Sequence, residues 1–140
     1  MLRDYLISAI RTSFPSLPFV LSESSNPVAT LRAPFAEIGE LQIYDDGDEA
    51  TVVFSKVTHG HFGSYDSSLS AEKKELEIVQ NVINFLQALF ADKVLLFCTP
   101  SGSKGFGGWQ KIDPSQEPLA FKSKCEYFVW SGSYDSSMIS

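Results

Sequence analysis

The chain has 140 residues, 44% of them hydrophobic and 20% charged, with a formal net charge of −6. That length fits one domain that buries about two-thirds of its unfolded surface without help from disulfides or metals. The composition excludes a disordered chain. The acidic balance excludes a general affinity for nucleic acid or anionic membranes, because no basic excess exists to displace counterions.

In chain order, Leu2, Tyr5, Leu6, Ala9 and Ile10 share one helical face, which predicts a short amphipathic helix that stops before Pro15. Residues 19–21 and 28–31 read as short strands between runs of turn formers. Leu41 and Ile43 then alternate with polar neighbours, the acidic stretch 45–48 contains Asp-Gly, and a β-branched run follows. This pattern predicts a β-hairpin over about residues 40–57 with a solvated tip. Over residues 70–91, Leu76, Val79, Ile83, Leu86 and Phe90 recur at helical steps, flanked by Ile78, Val82, Phe85 and Leu89. Ser70 is the expected N-cap of this long helix, and Glu72, Glu75 and Glu77 suit its positive end.

Residues 94–98 form an apolar run of strand length, 101–109 a mobile Gly-rich loop, and 126–130 a last strand, with a polar tail over 131–140 expected to fray. The whole predicts a single α+β domain over residues 1–140. It is a two-layer sandwich in which a mostly antiparallel sheet, containing the hairpin, is packed by the long helix and the short N-terminal one.

Three features bear on chemistry. The first is Thr58-His59-Gly60-His61, which holds both histidines. On a continuing strand, residues two apart face the same side, so His59 and His61 could hold one zinc, nickel or iron ion. Asp66 is the nearest carboxylate for a third ligand, and Asp135 is the other candidate. The competing reading makes the pair a strand end, with Gly60 at a bend or bulge. No other cofactor is expected.

The second is the Gly-rich loop with Lys104, which matches neither G-x-x-x-x-G-K-[ST] nor G-x-G-x-x-G and reads as a surface loop anchored by Trp109. The third is the hexapeptide GSYDSS, present at 63–68 and again at 132–137. It reads either as an Asp/Ser turn leaving a strand or as a paired contact loop. The aromatic content of 13% leaves rings beyond the needs of a core. The candidate partner surface is therefore Tyr65, Asp66, Phe106, Trp109 and Tyr134. Cys98 and Cys125 lie far apart in apolar contexts and form no C-x-x-C pair, as expected of buried thiols in a reducing compartment.

Taken together, THGHFGSY at 58–65, LFADKVLLF at 89–97 and GGW at 107–109 resemble an uncharacterised family of small bacterial proteins. The resemblance covers roughly residues 35 to 110; it implies a bacterial, cytosolic protein and supplies no activity. By analogy of context, small acidic proteins of this kind often accompany contact-dependent toxin systems as immunity proteins. The opening segment is too short and too interrupted by charge for a secretory leader, and no apolar run reaches membrane-spanning length, so a cytoplasmic location is expected. The expected function is a non-enzymatic, protein-binding domain whose partner is another protein of basic character. The alternative is a small metal-dependent enzyme or metal-binding domain built on His59, His61 and Asp66.

Overall fold

The computed structural model describes residues 1–98, 107–112 and 126–133. In chain order these form α1 (Leu2–Ser13), β1 (Val20–Leu21), β2 (Ala29–Arg32), β3 (Glu40–Asp45), β4 (Glu49–Phe54) and β5 (Thr58–Gly63). After them come α2 (Ala71–Phe90), β6 (Val94–Cys98), β7 (Gly107–Lys111), β8 (Glu126–Val129) and β9 (Gly132–Ser133). Every strand pairing among the described residues is antiparallel. The two helices and antiparallel sheets make the α+β sandwich expected from the periodicities.

The first sheet has the order β1-β2-β3-β4-β5, so each strand pairs with its neighbour in sequence. Its β3–β4 hairpin closes on Asp45 opposite Ala50. Gly47 takes φ 90°, a left-handed conformation that a Cβ would disfavour. Its amide donates to Asp45 Oδ1 at 2.8 Å, and the Asp46 amide donates to the Glu49 carbonyl at 3.0 Å. Alternation turns Leu41, Ile43, Ala50, Val52 and Phe54 inward, where they join one core with the helices.

α1 contributes Leu2, Leu6, Ile7 and Ile10 to that core and ends at Phe14, whose amide donates to the Ile10 carbonyl at 2.9 Å. α2 begins at Ser70, whose hydroxyl accepts from the Lys73 amide at 3.3 Å. Its inward face is Ile78, Val79, Val82, Ile83, Phe85, Leu86 and Leu89. Leu76, expected in the apolar stripe, is instead 46% exposed, because the residues predicted as flanks form the centre of the face. Asp92 ends the helix at φ 58°. An aspartate is stabilised in that left-handed position by its side chain, which accepts from the Ser131 amide at 3.1 Å and the Ser131 hydroxyl at 2.5 Å.

The second sheet has the order β7-β6-β8-β9. Residues 107–109, expected to close a mobile loop, instead open β7, and Gly107 to Lys111 pair with Cys98 to Val94. The glycines conceal this strand from propensity, yet Gly108 serves it: a Cβ there would stand 2.6 Å from the Phe97 ring. Gly132 and Ser133, expected to fray with the tail, pair with Val129 and Phe128. Strands β5 and β7 lie side by side at the seam of the two sheets. The Trp109 indole fills that seam, stacked on Phe62 at 6.0 Å and meeting the edge of Phe85 at 4.6 Å.

Candidate functional site

Two features stand beside each other around the β3–β4 turn. The first lies on the outward face of β4 and β5. Thr51 is directly opposite His61, and Val53 opposite His59, so both imidazoles point away from the core. Both are exposed, and their rings meet edge to face with centroids 5.0 Å apart. The predicted shared face of the pair is therefore present. Gly60 between them is neither a bend nor a bulge, since β5 pairs with β4 residue for residue from Thr58 to Gly63. Gly60 is small because a Cβ there would collide with Trp109 Nε1 on the inner side.

The carboxylates that reach His61 come from the hairpin turn. Glu49 Oε1 stands 3.1 Å from His61 Nδ1, and Thr51 Oγ1 stands 3.0 Å from the same nitrogen. The Thr51 hydroxyl also donates to Asp46 Oδ2. One ligand atom from each of Asp46, Glu49 and His61 falls within a 4.8 Å cluster, the group of metal-ligating side chains found among the described residues. Asp66, expected to complete the histidine set, is outside that cluster. Its Oδ1 accepts from the Ser68 amide at 3.0 Å and the Ser68 hydroxyl at 2.6 Å. Those two bonds, with a smaller contribution from the Lys74 charge, hold the Asp66 carboxyl below its ordinary range. Asp135 lies outside the described residues.

The second feature is a groove of about 530 Å³ between the same turn and the first half of α2. Leu2 and Ile78, each only 2% exposed, make its apolar floor. Asp45, Asp48 and Glu75 line it with Lys74 and with the Met1 ammonium, which stands 3.8 Å from Glu75 Oε2. Ser64 also lines it, and the Ser64 hydroxyl oxygen is buried with no hydrogen-bond partner among the described residues. Tyr65 stands at its edge, 85% exposed, its ring lying close over Gly63.

Of the predicted contact residues, Tyr65 and Asp66 are exposed while Trp109 is half-buried in the seam. Phe106 and Tyr134 lie outside the described residues. Asp46, Glu49, Thr51 and Ser64 escaped the sequence reading. The first three are legible only once Thr51 is known to face His61, a matter of strand register. Ser64 gave no signal beyond its place next to Tyr65. No protein-family model, curated protein or solved structure matches this chain, so the roles of these residues rest on their geometry.

Proposed function

We propose that the chain is a protein-binding domain that holds a basic segment of its partner in the groove between the β3–β4 turn and α2. The observation that carries this reading is the combination found there: an apolar floor of Leu2 and Ile78 beside the carboxylates of Asp45, Asp48 and Glu75, which Lys74 and the Met1 ammonium offset only in part. An apolar side chain of the partner fills the floor, and neighbouring Lys or Arg residues face Asp48 and Glu75. Tyr65 lies ready beside the groove as a stiff, amphipathic anchor with few rotamers to lose.

The net charge of −6 favours encounter with a basic partner over a long range at low salt. The resemblance to small bacterial proteins extends the proposal to a cytosolic regulator of immunity type, one that neutralises a basic toxin by occupying its surface.

The test begins with capture of the partner from source cells, followed by affinity measurements on purified components at two salt concentrations. Tyr65→Ala is expected to cost about 2 kcal/mol, roughly a thirtyfold loss. Asp48→Lys with Glu75→Lys is expected to weaken binding at least tenfold and to flatten its salt dependence. A partner that binds both variants as tightly as the wild type overturns the groove as the contact surface.

A further inference from the structure

We propose that Asp46, Glu49 and His61 form a binding site for one divalent transition-metal ion of the zinc class, on the outward face of the β4–β5 pair. This site is independent of the groove: it uses other side chains and points to the other side of the turn.

The distances suit an ion closely. Zinc binds imidazole nitrogen and carboxylate oxygen at about 2.0–2.2 Å, which places neighbouring ligand atoms roughly 3–3.5 Å apart. His61 Nδ1 and Glu49 Oε1 already stand 3.1 Å apart, and the Asp46 oxygen lies within the same 4.8 Å cluster. Rotation of the Asp46 side chain closes the remainder, with its backbone held by the bond to the Glu49 carbonyl at 3.0 Å. Glu49 and His61 project from paired strands rather than from a loop, so two of the three ligands arrive pre-placed.

The donor set also selects the class of ion. Two carboxylates offset a double positive charge, and an imidazole nitrogen favours first-row transition metals over calcium or magnesium, which take oxygen. Thr51 completes the site from the layer behind. Its hydroxyl bonds Asp46 and, with the ion bound, keeps that carboxylate oriented. Three protein ligands leave a coordination position for water or for a donor from another molecule. His59 is a neighbour of this site and not a member, since its ring stands beside His61 but supplies no atom to the cluster.

The experiment is calorimetric titration of untagged protein with Zn²⁺, followed by nitrogen-detected NMR of the two imidazoles. One ion is expected to bind in the micromolar range, with a large shift at His61 Nδ1 and a small one at His59. His61→Ala and the Asp46→Asn/Glu49→Gln pair are each expected to weaken binding by more than tenfold, and Thr51→Val by about tenfold. His59→Ala and Asp66→Asn are expected to stay within about twofold of the wild type, since neither side chain ligates. Thermal melts without metal verify that each variant folds. Absence of saturable binding overturns the proposal, as does binding indifferent to Asp46, Glu49 and His61. Equal losses on His59→Ala and His61→Ala also overturn it, by moving the ion to the histidine pair.

Discussion

Gly60 shows how much a single missing Cβ can decide. It sits between two outward histidines and beneath the Trp109 indole, so any side chain there must displace the ring that fills the seam. Gly60→Ala is expected to destabilise the fold by about 1–3 kcal/mol in urea titration, the range typical of overpacking. Asp66 makes a gentler test. Its carboxyl is held below its ordinary range chiefly by the two bonds from Ser68, so its contribution to stability is present above the ordinary, unfolded value and lost as pH falls through the lower, folded value. Followed by NMR, the Asp66 titration midpoint is expected to rise toward the ordinary value in Ser68→Ala; an unchanged midpoint refutes the assignment. The sequence displayed both residues but not their circumstances. Period-two alternation was enough to put His59 and His61 on one face. Which carboxylates reach His61, however, is set by strand register and the hairpin turn, which bring Glu49 and Asp46 to it, and nearness along the chain pointed to Asp66 instead.

At the scale of elements, long periodic segments were legible and glycine-rich ones were not. The hairpin announced itself through Asp-Gly between alternating runs, and α2 through its three- and four-residue steps and Ser70. What the pattern left open was which stripe of α2 turns inward, because seven of its residues are buried and the apolar arc is wide. Leu76 and Leu86 separate the alternatives. Leu86→Ala is expected to cost about 2–5 kcal/mol, as deletion from a packed core does. Leu76→Ala is expected to cost about 0.5 kcal/mol or less, as for most surface positions. Comparable losses in thermal or chemical unfolding contradict the inward face described above. β7 was hidden for a different reason: its two leading glycines have no propensity for a strand, and the strand exists because β6 offers a ladder and Phe97 a ring to cover Gly108.

At the scale of the molecule, two antiparallel sheets share one core, and the helices close it from one side. One acidic turn serves two surfaces: Asp45 and Asp48 line the groove, while Asp46 and Glu49 reach His61. The seam adds an optical consequence. The protein has 2 Trp, and they report from different places, Trp109 between the sheets and Trp130 against Phe90. With Trp130→Phe, the remaining emission belongs to the indole lodged behind Gly60, one strand's thickness from His61. Nickel or copper bound at that histidine would dim this light through the strand, while a peptide resting in the groove, on the far side of the turn, would leave it bright.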